Sequence, residues 1–351
     1  MHSTTARRRW SRLIPVVAAT AALALVGCSS SENPEGSGTD SPASGLLPDA
    51  EGTTQYPLTV DTWAGDFVIA ERPERVAVIG FNTGLDALQA LDVTPVYALT
   101  EDPVWEWRDT DYFSQIEFVD GATRSDPVNF ENIANTNPDV IISLNYGLEQ
   151  TDVDRLTDIA PYVDLSTLPG DKADWREGQR IVGEVLDLRA ASEAVIDEAD
   201  RRIADVAAAH PEYEGKTVTI ATDYGADSGI DYYSVAGGTA ESFMTDLGFT
   251  PNPIAAEFTD DPAVADEALE KLDGDILIVS YFDDATQQAR ESSGLFQRLP
   301  PVVDGRYHAV NDAQPNSGSQ ATWVLRRGAS ALSLPWAADT ISDIWLADVV
   351  K

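Results

Sequence analysis

Short apolar runs and amphipathic segments alternate along most of this chain. The runs Val76–Gly80 and Val140–Leu144 have the length and composition of buried strands, and segments with apolar residues at spacings of three and four follow them. The alternation stops at Arg189–Ala209 and begins again at residues 217–222. Alternating strands and helices predict parallel sheets covered by helices on both faces, so we expect an α/β unit on each side of the interruption.

The interruption itself predicts one long helix. It contains no Pro or Gly, its small apolar residues recur every three or four positions, and acids and arginines fill the other face. At 1.5 Å per residue such a helix is roughly 30 Å long. The sequence thus predicts an α/β protein with two doubly wound lobes, at 55–188 and 211–351, joined by a single long helix at 189–210. Ligands of parallel sheets bind beyond the carboxyl ends of the strands, so we expect a ligand cleft between the lobes.

The same pattern predicts the order of elements within each lobe. The first lobe is expected to contain a hairpin at 57–70, strands at 76–80, 96–98, 116–119, 140–144 and 161–166, and helices at 84–91, from 130, at 152–159 and at 174–186. The second is expected to contain strands at 218–221, 231–235, 276–280 and 307–310, and helices at 239–247, 263–272 and 329–347.

The first 27 residues have the composition of an export signal. Four arginines precede an apolar run at 13–26 that is too short to span a membrane. The sequence LVGC at 25–28 resembles the lipobox of bacterial lipoproteins, which implies that Cys28 is lipidated and holds the protein at the extracytoplasmic face of the cell membrane. Residues 28–54 are rich in Ser, Gly, Pro and acids and predict a disordered tether. The sequence leaves the export route, Sec or twin-arginine, open.

Acidic residues outnumber basic ones by 59 to 23, which gives a formal charge of −36 at pH 7. Removal of residues 1–27 takes away four arginines and no acid, so the charge becomes −40. A surface this negative excludes nucleic acid as a partner. Cys28 is the only cysteine, which excludes an internal disulfide.

Three phrases resemble, in this order, the helical-backbone substrate-binding proteins of ABC importers. The phrase RPERVAVIGFNTGLDALQALDVTPV resembles the opening of that family's first lobe, GATRSDPVNFENIANTNPDVIIS its next signature, and ADEALEKLDGDILIV the matching helix and strand of its second lobe. The resemblance covers about residues 71–345. It implies a monomeric, lipid-anchored receptor that captures a ferric siderophore and delivers it to an ABC permease in the membrane, and it does not choose the siderophore.

Members of that family dock onto arginines of the permease through one glutamate on each lobe. The matching positions here are Glu131, in NFENI, and Glu267, in ADEAL. Two carboxylates on separate lobes, held apart by a stiff helix, would make a two-point electrostatic contact. Asp266 and Glu270 are alternatives for the second position.

A ferric siderophore combines an organic periphery with oxygens clustered on iron, so aromatic side chains and guanidinium groups suit it as contacts. In the first lobe the candidates are Trp105 and Trp107, in the loop EDPVWEWRDTDYF, and two positions that match hydroxamate-siderophore binders, Arg124 and Tyr146. In the second lobe the candidates are Tyr232, Tyr281, Trp323, Arg326 and Arg327. For each aromatic residue, packing beneath a loop is the alternative role.

Signatures of catalysis and direct metal binding are absent from the sequence. Only His210 and His308 follow the signal peptide, so we expect no metal site and no intrinsic cofactor, and any iron would be held by its chelator. No G-x-S-x-G, Walker, H-E-x-x-H or G-x-G-x-x-G motif occurs, and we do not expect an enzyme. A cobalamin or haem receptor of the same family is one alternative, and a surface enzyme or adhesion lipoprotein on this fold is another.

Overall fold

Two five-stranded sheets, one in each half of the chain, form the centres of two lobes. The structure, a computed structural model, describes residues 45–80, 83–100, 105–121, 128–144, 146, 148–165 and 174–350. The predicted signal peptide and Cys28 lie outside these ranges. No helix within them is both long enough and apolar enough to cross a membrane.

The sheet of the first lobe is parallel throughout. A hairpin of β1 (Leu58–Thr62) and β2 (Gly65–Ile69) precedes it. The sheet consists of β3 (Val76–Gly80), β4 (Tyr97–Thr100), β5 (Phe118–Gly121), β6 (Val140–Leu144) and β7 (Tyr162–Asp164), in the order β5-β4-β3-β6-β7. The connecting helices are α1 (Thr83–Gln89), α2 (Thr110–Phe113), α3 (Phe130–Asn135), α4 (Gln150–Thr157) and α5 (Trp175–Val185). Every residue of β3 and β6 is buried, as expected of strands covered on both faces.

The strand order reverses between β3 and β6, which is where a doubly wound sheet opens a crevice for ligands. Gly80 ends β3 with a φ of +145°, and a Cβ at this position would lie 2.2 Å from the carbonyl oxygen of Leu144. Only glycine allows the two strand ends to approach this closely.

Helix α6 (Arg189–Ala209) joins the two lobes and packs into the hydrophobic cores of both. Its buried residues, Ser192, Ile196, Ala199 and Ile203, recur at spacings of three and four on one face. Ile196 and Ile203 belong to the core of the second lobe, and Ala191 packs against that of the first. The helix is therefore a built-in part of each lobe.

The segment just before β1 is fastened to the start of α6. The Glu51 carboxylate accepts hydrogen bonds from the backbone N–H groups of Ala190 and Ala191, at 2.7 and 2.8 Å. Asp187 in turn accepts backbone hydrogen bonds from residues 52, 53 and 54. The prediction of a disordered tether up to residue 54 is thus wrong for its last part, because Glu51 satisfies free backbone N–H groups at the start of α6 and Asp187 accepts from the backbone of residues 52–54.

The sheet of the second lobe is mixed. It consists of β8 (Val218–Asp223), β9 (Ile230–Tyr232), β10 (Ala263–Val264), β11 (Ile276–Tyr281) and β12 (Tyr307–Asn311), in the order β10-β9-β8-β11-β12. Strands β8, β11 and β12 are parallel, whereas β9 and β10 pair antiparallel. The predicted α/β class is confirmed, but a fully parallel second sheet is wrong, because residues 224–229 are too few for a crossover and make a tight turn instead.

The helices of the second lobe depart most from the prediction. They are α7 (Thr239–Asp246), α8 (Asp284–Ser292), α9 (Pro300–Val303), α10 (Gln320–Trp323) and α11 (Ser333–Thr340), with π-helical turns at Val324–Gly328 and Ile341–Leu346. Short 3-10 segments lie at Pro211–Tyr213, Pro253–Phe258, Asp266–Leu272 and Phe296–Arg298.

Two predicted helices are wrong in extent. The helix expected at 263–272 is strand β10 followed by a 3-10 segment that is kinked at Ala268. The helix expected at 329–347 begins only at Ser333, because the hydroxyls of Ser330 and Ser333 bond to each other and to local backbone groups. Serine side chains that bond locally in this way compete with helical hydrogen bonding.

Candidate functional site

The carboxyl edge of the second sheet carries exposed aromatic residues. Strand β8 ends at Asp223 and β11 ends at Tyr281, and the next residues, Tyr224 and Phe282, are 38% and 46% exposed. Their rings lie 5.6 Å apart. Both strands run in parallel, so their ends meet at one edge and the two rings form a single apolar surface there.

Arg326 lies in the midst of this surface. It comes from the π-helical turn after α10, and its Nη2 donates a 2.6 Å hydrogen bond to Oγ1 of Thr222. Its guanidinium carbon lies between 5.4 and 5.6 Å from the ring centres of Tyr224, Tyr233 and Phe282. These distances allow cation–π attraction to all three rings. We call these five residues the Arg326 cluster.

A hydrogen-bond donor of this cluster has no acceptor in the part of the chain that the structure describes. The Nε of Arg326 is buried and has no hydrogen-bond partner among the described residues, and the same holds for the indole Nε1 of Trp105. A buried donor without an acceptor is costly, so each of these groups is suited to an oxygen atom of a ligand.

Two carboxylates lie within the electrostatic range of Arg326. Burial raises the pKa of Asp231, the neighbouring Asp261 raises it further, and Arg326 opposes both effects. Burial also raises the pKa of Asp312, while Arg326 and a hydrogen bond from Ser319 lower it. Asp231 and Asp312 therefore lie close enough to Arg326 to offset part of its positive charge.

A stack of four tryptophans crosses from one lobe to the other. Trp105 of the first lobe stacks on Trp323 of the second, with ring centres 6.0 Å apart. It also stacks on Trp107 at 5.0 Å, and Trp107 contacts Trp336 of the second lobe at 5.1 Å. The structure thus brings three predicted site residues together, and it places them where the lobes meet.

Beneath this stack, Asp86 of α1 is fully buried and accepts hydrogen bonds from three side chains of two segments. Trp107 Nε1 donates at 2.9 Å, Arg108 Nη2 at 2.7 Å and the hydroxyl of Ser330 at 2.8 Å. Sequence reasoning did not find Asp86. The available signal was an acid within the apolar stretch GLDAL, since an acid on a buried helix face needs a partner.

The predicted contacts at Tyr232 and Tyr281 are wrong, because both side chains are fully buried in the core of the second lobe. The ring of Tyr232 stacks on Phe258 at 4.6 Å, and the hydroxyl of Tyr281 bonds to that of Tyr307 at 2.9 Å. Successive side chains of a strand point to opposite faces, so the residue that follows each tyrosine, Tyr233 or Phe282, reaches the Arg326 cluster instead.

The other three predicted ligand contacts, Tyr146, Arg327 and Arg124, lie in different parts of the chain. Tyr146 is buried and packs within a core cluster of the first lobe, against which Trp323 also packs. Arg327 is half-buried beside Arg326 in the same π-helical turn. Arg124 lies outside the described residues.

The two predicted docking glutamates are exposed and belong to different lobes. Glu131 lies in the first turn of α3, where the Asn129 side chain caps the helix by accepting from the backbone N–H of Asn132. Glu267 lies in the 3-10 segment after β10. Within the described part of the chain, no group of three or more His, Cys, Asp or Glu side chains is placed to hold a metal ion.

Comparisons of sequence and fold relate this chain to binding proteins. A family model described as periplasmic binding protein matches residues 78–298. In Bacillus subtilis (strain 168), the "probable siderophore-binding lipoprotein YfiY" is 26% identical over 314 residues, covering 83% of this chain and 88% of the relative. From the same organism, the "Fe(3+)-citrate-binding protein YfmC" is 27% identical over 310 residues, covering 88% and 89%. The crystal structure of the iron uptake ABC transporter substrate-binding protein PiaA from Streptococcus pneumoniae TIGR4 is 25% identical with a TM-score of 0.64, covering 83% of this chain and 98% of that one.

Proposed function

Because the chain belongs to the periplasmic binding protein family, we propose that it captures a ferric siderophore outside the cell membrane and delivers it to the permease of an ABC importer. The relatives support this ligand class, since one is named for siderophore binding, one for Fe(3+)-citrate binding and one for iron uptake. The protein binds and releases its ligand without changing it chemically.

The Arg326 cluster is the observation that carries the proposal. A planar guanidinium lies among three aromatic rings at the carboxyl edge of a sheet, and its buried Nε has no acceptor in the described part of the chain. A ferric chelate offers oxygens for that donor and an organic periphery for the rings. Trp105 of the first lobe and Trp323 of the second stack on each other and add aromatic surface where the lobes meet.

Delivery depends on the lipid anchor and on one acidic residue of each lobe. The lipid on Cys28 keeps the protein, as a monomer, at the extracytoplasmic face of the membrane. Glu131 and Glu267 are exposed on separate lobes and bind basic residues of the permease. Each contact is a modest attraction, and the pair together selects the orientation of the receptor.

The lobes move little when the ligand binds. A helix interior resists bending because bending breaks its hydrogen-bond ladder, and α6 is built into both cores. The buried contact between Asp86 and Ser330 adds a second link between the lobes. Small rocking is therefore expected, and small-angle scattering of free and bound protein checks it, since a large compaction on binding would contradict a rigid connector.

Tryptophan fluorescence tests the ligand class, since seven of the eight tryptophans follow residue 27 and two of them form the wall of the site. The purified full-length chain is titrated with ferric siderophores, their iron-free forms, cobalamin and haem. Saturable quenching by a ferric siderophore, and not by its iron-free form, is expected. Quenching by cobalamin or haem alone would replace the proposed ligand with one of these.

A matched pair of variants connects the signal to the site. Arg326→Gln removes the charge and the Nε donor of the cluster, so it should weaken binding about tenfold or more. Arg201→Gln makes the same change on the exposed face of α6 and should leave the affinity unaltered. Equal affinities of the two variants would remove the Arg326 cluster from the site.

A further inference from the structure

Resting on the proposed function, we infer that the ligand is a ferric complex with a net charge of zero or +1, as in the tris-hydroxamate class, and that multiply anionic complexes are discriminated against. The inference concerns the ligand's charge, and it follows from where this chain places its basic and acidic side chains.

Most basic residues of the described part are already paired with carboxylates of the protein. Ten of them form ion pairs with carboxylates: Arg75, Arg108, Arg176, Arg180, Arg189, Arg201, Arg202, Lys271, Arg290 and Arg306. Arg72 is turned inward and donates to the carbonyls of Pro48 and Leu186. These side chains are not available to surround an anion at the cleft.

Arg290 illustrates how the carboxyl edge of the second sheet is kept from becoming positive. Its Nε binds Asp223 at 2.6 Å and its Nη1 binds Asp266 at 2.8 Å. Asp223 is buried and directly precedes Tyr224 of the cluster. Two acids thus hold Arg290, and the group of three has a net charge of −1.

The Arg326 cluster itself has the character of an aromatic site. Three ring faces surround the guanidinium, and two of the charged groups within its range, Asp231 and Asp312, are acids. A trianionic complex would need several converging cations to offset its loss of hydration. A neutral complex needs only donors for its oxygens and apolar surface for its periphery, and the cluster provides both.

The sequence outside the described ranges does not change this balance. Between residues 81 and 173, those positions contain two basic residues, Arg124 and Lys172, against four acids, Glu101, Asp102, Asp126 and Asp171. At longer range the whole chain, at −36, repels an anion and attracts a cation, with a strength that falls as salt rises.

The test compares ferric complexes of different charge on the purified full-length chain. The probes are ferrichrome (neutral), ferrioxamine B (+1), ferric enterobactin (−3) and ferric citrate (anionic), each titrated at about 50 mM and about 500 mM salt, between which screening rises several-fold. At low salt the neutral or cationic complexes are expected to bind at least about tenfold more tightly than the anionic ones. Added salt should reduce this difference in affinity. Tighter binding of an anionic complex would overturn the charge inference and leave the proposed function standing. Failure of every ferric complex to bind would overturn both.

Two isosteric variants test whether charges near Arg326 cause the preference for neutral over anionic ferric complexes. Asp312→Asn removes a negative charge beside Arg326, and it should narrow the affinity ratio between ferrichrome and ferric enterobactin several-fold. Asp61→Asn removes the same charge from the exposed hairpin of the first lobe and should leave the ratio within about twofold, because a Debye length of roughly 8 Å screens it. A ratio changed equally by both variants would assign the discrimination to total charge and would contradict a local origin.

Discussion

The carboxylate of Asp86 in the first lobe accepts a 2.8 Å hydrogen bond from the hydroxyl of Ser330 in the second. Both side chains are buried, and the same carboxylate also pairs with the fully buried guanidinium of Arg108. The lobes are therefore joined by a polar contact in addition to helix α6 and the tryptophan stack. Because Asp86 also accepts from Trp107, this contact sets the position of the loop that carries Trp105.

Removing the acid at this contact should cost far more than removing the hydroxyl. Asp86→Ala removes the carboxylate that pairs with the buried guanidinium of Arg108, and we expect a loss of about 3–5 kcal/mol in the free energy of unfolding. Ser330→Ala removes a neutral hydroxyl that donates to Asp86 and accepts from the backbone N–H of Ser333, and a loss of about 1–2 kcal/mol is expected. Urea denaturation followed by tryptophan fluorescence measures both losses.

Glu198→Ala serves as the control, since Glu198 pairs with Arg201 on an exposed face of α6. Its urea midpoint should match that of the unaltered protein, because exposed pairs contribute little. If Asp86→Ala and Ser330→Ala caused equal losses, the ion pair with Arg108 would not be the main contribution of Asp86 to the free energy of unfolding.

Asp187 should make the protein sensitive to acid. Burial opposes ionisation of this side chain, but hydrogen bonds from the backbone of Thr54, Gly52 and Thr53 outweigh it and lower its pKa from 3.8 to about 2. A carboxyl whose pKa is lowered by folding stabilises the protein above its unfolded pKa, and the contribution is lost as the pH falls from about 4 to about 2. After allowance for solvent screening, we expect roughly 1–2 kcal/mol.

Asp187→Asn tests this contribution without disturbing the backbone, because Asn tolerates the positive φ of 54° found here. The variant should be less stable than the unaltered protein at pH 7, and the difference should shrink towards zero near pH 2. A difference that stays constant from pH 7 to pH 2 would show that the charge of Asp187 has no part in it.

Helices α5 and α6 approach closely at Gly183, and a methyl group there should disrupt their packing. A Cβ on Gly183 would lie 2.1 Å from Oγ of Ser192 and 2.9 Å from the carbonyl oxygen of Leu188. Gly183→Ala should therefore destabilise the protein by about 1–3 kcal/mol. Gly178→Ala in the same helix meets nothing closer than 3.7 Å, and a gain of about 0.4–1 kcal/mol is expected. Thermal or urea unfolding of both variants decides the matter, and similar midpoints would contradict the close approach.

The fold was predictable where burial acts on whole elements. Strands such as Val76–Gly80 and Val140–Leu144 are apolar at every position, and Arg189–Ala209 has helical periodicity over its whole length. Helix α8 was missed because none of its nine residues is buried, so no apolar face marks it. The antiparallel pairing of β9 was also missed, because it depends on the length of a turn and leaves no mark in hydrophobic periodicity.

The candidate site was predictable in kind and less so in detail. Arg326 could be selected because arginine is scarce in so acidic a chain, and the structure surrounds it with aromatic rings. Choosing Tyr281 over Phe282 was an error of one residue, and such an error moves a side chain from one face of a strand to the other. An acid within GLDAL marked Asp86 as a residue in need of partners, but the partners could not be predicted, because they are distant from it in sequence and meet it only in the folded chain.

The corrected assignment at the end of β11 makes opposite predictions for two neighbours. Phe282→Ala removes a ring from the Arg326 cluster, so it should weaken ligand binding with little change in stability, since the side chain is half exposed. Tyr281→Ala empties a core position and should reduce the free energy of unfolding by about 3–5 kcal/mol. Titration and urea unfolding of each variant check both properties. If Tyr281→Ala weakened binding while keeping full stability, the original assignment would be restored.

Docking through the two exposed glutamates predicts that binding and transport can be separated. Glu131→Ala combined with Glu267→Ala should leave the affinity for the ferric ligand unchanged and reduce uptake of radiolabelled iron by cells to background. Both residues are exposed, and neither contacts the Arg326 cluster, so the ligand site should not sense the change. Asp61→Ala combined with Glu214→Ala removes two charges from other exposed positions and should transport normally.

Each single glutamate variant should transport at an intermediate rate, because one remaining contact holds the receptor on the permease without fixing its orientation. Normal uptake by the Glu131 and Glu267 double variant would remove these residues from the docking surface and turn attention to Asp266 and Glu270, which flank Glu267 on the same segment.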